Sequence, residues 1–184
     1  MKWPNGVSDD LSYKRGVQGL QWTIAEDTAQ WLSSLLLDDP EQFLCTHPPQ
    51  KVLKESPVRT VSIISGPRGR LFLKRYKIRK FKERFKYLAV PSKAHKEWLM
   101  GRQALRKGIP TPIPLAIAER RRGRFLRDSF LITQAIVPSS PLIELIPDGK
   151  QKILLSRAAR LIRETHEAGL FHQDEEVAPG FPGL

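Results

Sequence analysis

Three side chains in this 184-residue sequence have the type and spacing to handle phosphate. Lys74 ends the apolar run Leu71-Phe72-Leu73. An ammonium at the end of such a strand leaves bulk water and needs a carboxylate partner to stay charged and in place. Glu97 is the one acid between Ala94 and Lys107, so the choice of partner is unambiguous. Asp174 closes the triplet His172-Gln173-Asp174, directly after a long segment with a helical apolar stripe. A cation fixed in this way attracts anionic groups, and a loop carboxylate can orient a hydroxyl and take its proton. His172 reads as a structural histidine with no acid–base part.

These groups can meet only if the elements between them bring them together. Residues 1–20 mix Gly, Pro, Ser, Asp and charge without period, and read as a loose arm. Trp22–Leu37 has apolar residues near helical spacing, with Asp38-Asp39-Pro40 as its stop, and a second helical piece covers Pro40–Leu44. Short apolar runs at Val52-Leu53, Thr60–Ile64 and Leu71–Tyr76 read as three antiparallel strands, the last two joined by the turn Gly66-Pro67-Arg68-Gly69. Ala94–Lys107 is helical, with Ala94, Trp98, Gly101 and Leu105 on one stripe and Gly108 as its stop. The prolines of Ile109–Pro114 force extended chain, and strands follow at Leu115–Ala118 and Phe130–Thr133. Lys150–Ala168 is the clearest helix, striped by Leu155, Ala158, Ala159, Ile162 and His166 and capped by Gly169. This order predicts an α+β fold: a five-stranded antiparallel sheet with one helix after its third strand. That is the small lobe of the protein-kinase-like fold, over residues 21–137 including an N-terminal helical extension, and residues 138–184 begin a large lobe that is cut short.

Composition narrows the classes further. With 40% hydrophobic and 27% charged residues the chain can bury roughly 70% of its unfolded surface, so disorder throughout is excluded. The single cysteine, Cys45, excludes a disulfide scaffold. No apolar run nears the roughly 18 residues of a membrane span, and the first residues lack a signal-peptide core, which predicts a soluble cytoplasmic protein. The net charge of +12 is lopsided: between Arg68 and Lys86 ten Lys/Arg face only Glu83, and no Lys or Arg follows Arg163. Such a field attracts phosphates, nucleic acid or acidic headgroups without choosing among them.

A family resemblance makes the choice. The strand lysine, helix glutamate and H-x-D triplet are the marks of kinases. The segments Phe72-Leu73-Lys74-Arg75-Tyr76, His95-Lys96-Glu97-Trp98, Gly108–Ala116, Ser129–Gln134 and His166–Asp174 together resemble the bacterial lipopolysaccharide kinase family of core heptose and Kdo kinases, from about Trp22 to Asp174. The resemblance implies transfer of the ATP γ-phosphate, with Mg²⁺, to a sugar hydroxyl of the lipopolysaccharide core at the cytoplasmic face of the inner membrane. It implies that Lys74 holds the phosphates, Glu97 pairs with it, Asp174 is the catalytic base, and backbone near Gln134–Ile136 meets adenine. The basic stretch Lys77–Lys86 would suit a phosphorylated, membrane-borne acceptor, with Phe81, Phe85 and Tyr87 resting at the interface.

The sequence departs from the pattern in two places. No glycine lies between Gly19 and Gly66, so Ser56–Arg59 is not a glycine-rich phosphate cradle. After Asp174 neither an Asn nor a further Asp follows to ligate metal, which predicts a C-terminally truncated kinase with little or no phosphotransfer and no metal ligands of its own. Two alternatives stand beside it: a non-catalytic, kinase-derived binding module, and a basic nucleic-acid-binding protein using Arg68–Lys86, for which no reader motif is present.

Overall fold

A computed structural model describes residues 11–32, 34–136 and 151–170. The chain divides into two compact units, Met1–Ser139 and Ser140–Leu184. The first is α+β. Seven strands, β1 Leu11–Arg15, β2 Leu20–Ala25, β3 Lys51–Glu55, β4 Arg59–Gly66, β5 Gly69–Lys77, β6 Pro114–Arg122 and β7 Phe125–Gln134, form one antiparallel sheet in the order β1-β2-β6-β7-β5-β4-β3. Five short or medium helices join them: α1 Glu26–Ala29, α2 Ser34–Asp38, α3 Pro40–Thr46, α4 Phe81–Ala89 and α5 Lys93–Arg106. Strands β3–β7, with α5 entering after β5, are the expected five-stranded small-lobe arrangement of a protein-kinase-like fold.

The N-terminal part differs from expectation. The loose arm becomes β1 from Leu11 onward, because pairing with β2 from Leu11↔Ala25 to Arg15↔Gln21 satisfies its backbone. The long helix expected over Trp22–Leu37 is instead β2 followed by two short helices. Leu20, Trp22 and Ile24 alternate into the core, a period of two that was hidden within an equally good helical spacing. Trp22 donates its Nε1–H to the Leu37 carbonyl at 2.6 Å and so fixes α2 on the sheet. Helix α3 starts on an Asp39 cap that accepts from the amides of Glu41 and Gln42.

The sheet is covered on both faces. On one, Leu20, Trp22, Ile24, Ile64, Leu71, Leu73, Ala116, Ala118, Phe130 and Ile132 pack with Leu36, Leu37 and Phe43 of α2 and α3. On the other, Tyr76, Ile117 and Leu131 pack against Ala94 and Trp98 of α5. Gly101 lets this helix lie close, since a Cβ there would come 3.3 Å from the Pro114 ring. Residues 81–89, expected as part of a basic stretch with Phe81, Phe85 and Tyr87 at an interface, form α4, and Tyr87 is instead buried against Ile78 and Leu126.

In the second unit α6 spans Gln151–Glu167, with an Arg160–Glu164 pair at 2.7 Å along its surface. It ends at Gly169, whose φ of +72° and amide bond to His166 O form a left-handed cap.

Candidate nucleotide site

The periodicity of β5 decides which side chains share a face. Phe72, Lys74 and Tyr76 point to the α5 side, while Leu71, Leu73 and Arg75 point to the opposite core. Lys74 stands in register between Val61 on β4 and Leu131 on β7, in the middle of the sheet. Helix α5 is placed over that face by Ala94 and Trp98, and by its cap. Ser92, fully buried, accepts from the His95 amide at 3.1 Å and is hydrogen-bonded to Glu119 of β6.

This placement brings Lys74 Nζ to 2.9 Å from Glu97 Oε2. The Tyr76 hydroxyl donates to the other carboxylate oxygen, Oε1. Burial alone would raise the pKa of Glu97. The charge of Lys74, the hydrogen bonds from Tyr76 and Lys74, and the charge of Arg59 outweigh it and hold the carboxyl below its usual range. Tyr76 is pushed strongly up, first by burial and then by the Glu97 charge beside it, so its hydroxyl stays a donor. The Lys74 side chain remains 31% exposed, so one side is held by Glu97 and the other is open to an anion.

Two participants were not singled out in the sequence. Tyr76 carries a legible signal, since it lies two residues beyond Lys74 and therefore on the same strand face. Arg59 carries none: only the pairing of β4 with β5 sets it opposite Tyr76 and within electrostatic reach of Glu97. Its Nε is buried without a hydrogen-bond partner. The turn before Arg59 is closed on itself, with Ser56 N–H donating to Arg59 O at 2.8 Å and Arg59 N–H donating to Ser56 Oγ at 3.0 Å. Those amides are spent within the turn, in keeping with a loop that lacks glycine.

At the end of β7, the Gln134 amide bonds Ile113 O and the Ala135 amide bonds Arg70 O, both at 2.9 Å. Of the stretch expected to meet adenine, Ile136 is the residue whose N–H makes no hydrogen bond among the described residues, and its side chain is 44% exposed. Asp174 and His172 lie outside the described residues, as does the segment after them. Among the described residues no three His, Cys, Asp or Glu side chains converge as metal ligands.

No curated protein sequence matches the chain significantly. A solved structure of WaaP in complex with acyl carrier protein is similar at 22% identity and a TM-score of 0.47, over 70% of this chain and 50% of that one. The chain thus spans about half the length of that protein. The model of the lipopolysaccharide kinase (Kdo/WaaP) family matches residues 65–177, a stretch that runs from the β4–β5 turn past Lys74, Glu97 and Asp174. With more than half of its residues in that match, the chain belongs to the lipopolysaccharide kinase (Kdo/WaaP) family.

Proposed function

We propose that this chain provides the nucleotide-holding part of an ATP-dependent kinase that phosphorylates a heptose or Kdo hydroxyl of the lipopolysaccharide core. The observation that carries the reading is the Lys74–Glu97 pair, held at 2.9 Å on the face between sheet and α5. Lys74 would hold the phosphates of ATP, Glu97 would fix Lys74, and Tyr76 would fix Glu97. Arg59, set opposite Tyr76 by the β4–β5 pairing, would add a second cation where a glycine-rich loop would have offered amides. Backbone at Gln134–Ile136 would meet adenine, with the Ile136 amide as the available donor.

In the transfer, the acceptor hydroxyl oxygen forms a bond to the γ-phosphorus as the β,γ-bridging P–O bond breaks and ADP leaves. The hydroxyl proton passes to Asp174, assigned by its place in His172-Gln173-Asp174. Mg²⁺, when bound, would neutralise phosphate charge.

The test is transfer of radiolabelled γ-phosphate from ATP to purified lipopolysaccharide core. Any labelled core sugar, expected to be little, should fall at least about 100-fold with Lys74→Met and with Asp174→Asn. A nucleotide-induced rise in melting temperature without transfer to any core acceptor would instead support a non-catalytic binding module.

A further inference from the structure

Helix α5 has two flanks, and the nucleotide site uses one of them. Glu97 leans over β5, whereas His95, two residues earlier and so about 200° around the helix, leans the other way, over β6 and β2. Strands β1 and β2 carry the sheet past that flank, and the face beyond the helix forms a cavity of about 160 Å³. Strand register builds its floor. Tyr13, Thr23 and Ile117 lie side by side on β1, β2 and β6, and Gln21 and Glu119 lie side by side in the next row. His95 forms the wall.

The polar lining is largely uncommitted. The side chains of Tyr13, Gln21 and Thr23 have no hydrogen-bond partner among the described residues. Glu119 is engaged on one side only. Arg121 donates to its Oε2 from Nε at 3.0 Å and from Nη2 at 2.7 Å, and Ser92 is hydrogen-bonded to it as well. Burial would raise its pKa, but those bonds and the Arg121 charge hold it below the usual carboxylate range, and 21% of its side chain stays exposed. A carboxylate takes about four donors, so three leave capacity on the cavity side. Ile117 is 3% exposed and gives an apolar base, while the Tyr13 ring, 79% exposed, stands at the outer edge on β1.

These groups select by charge and size. An anion would face Glu119, and a cation would find that carboxylate already matched by Arg121. An apolar ligand would strip water from Gln21, Thr23 and Glu119 and return no hydrogen bond. A neutral molecule rich in hydroxyls suits all three, since each O–H can donate to Glu119 while its oxygen accepts from Gln21 or Thr23. The volume is well under the roughly 300 Å³ at which drug-sized pockets begin, which limits the ligand to one ring. We infer that this cavity binds a small neutral polyol, a single sugar ring or cyclitol, with its hydroxyls on Gln21, Thr23 and Glu119 and its C–H face on the Tyr13 ring. The site lies across α5 from Lys74, so its occupant does not meet the phosphates, and the inference does not rest on the kinase reading.

Saturation-transfer NMR on the full chain, titrated with D-glucose, myo-inositol and cyclohexanol, tests it. Transfer to one or both polyols is expected, unchanged by added ATP, with none to cyclohexanol, which has the ring but a single hydroxyl. Gln21→Ala with Thr23→Val should lower polyol affinity at least about tenfold. Tyr13→Ala should lower it several-fold, with the melting temperature unchanged because that ring is exposed. Absence of transfer to both polyols, equal transfer to cyclohexanol, full affinity in the Gln21/Thr23 double variant, or displacement by ATP would each overturn the inference.

Discussion

The smallest unit of this account is one carboxylate with two donors. Glu97 takes Lys74 on one oxygen and Tyr76 on the other, and is held below the usual carboxylate range although burial works against it. Because its folded pKa is depressed, the stability it contributes is present above the unfolded value and is lost as pH falls through the folded one. Stability and nucleotide affinity should therefore be flat through neutrality and decline only below about pH 4, a profile that Glu97→Gln should flatten; melting temperature against pH checks this. Tyr76→Phe removes one donor to a charged acceptor and is expected to cost about 1 kcal/mol by denaturant unfolding and to weaken nucleotide binding a few-fold. The Lys74–Glu97 partnership was legible in the sequence because α5 holds a single acid over most of its length. Tyr76 was legible only as the next residue on the same strand face, and Arg59 was not, because its closeness is made by sheet pairing, which no local spacing encodes.

At the scale of elements, the two faces of the sheet use charge differently. On the face opposite Lys74, Arg75 and Arg120 share Glu41 of α3, each at 2.6 Å, and Asp128 lies 3.0 Å from Arg75. Both guanidinium groups lie 5.6 Å from the Phe130 ring centre. Burial would raise the Glu41 carboxyl, but the hydrogen bonds and charges of the two arginines bring it down. Glu41→Gln leaves the buried Arg120 short of a partner and is expected to cost about 2 kcal/mol in a denaturant titration. Gly19 ends the 3-10 turn before β2 at φ +75°, where an added Cβ would lie 2.8 Å from Arg121 O. Gly19→Ala should cost about 1–2 kcal/mol, measured the same way. The three-strand meander, α5 and α6 could be read from the sequence because each has one period and clear stops. The segment at 20–38 could not, since Leu20, Trp22 and Ile24 satisfy a strand while Trp31, Leu32, Leu35 and Leu36 extend the same apolar texture at helical spacing. Helix α4 was obscured by the basic run from Arg68 to Lys86 that leads into it, while Phe81, Phe85 and Leu88 carry its period.

Across the first unit, the sheet separates three tasks. One flank of α5 carries the charged pair, its other flank carries the cavity beside His95, and the opposite face of the sheet carries the core and the Arg–Glu network. The family match joins the first of these to phosphate chemistry, and every assignment there depends on an ammonium that is anchored on one side and open on the other. ATP affinity, measured by titration calorimetry on the wild-type chain, Lys74→Met and Glu97→Gln, tests that dependence most directly. The account predicts measurable binding by the wild type, a loss of at least about tenfold in either variant, and no further loss when the two are combined, since both remove one coupled unit. Wild-type affinity retained in Lys74→Met would contradict it.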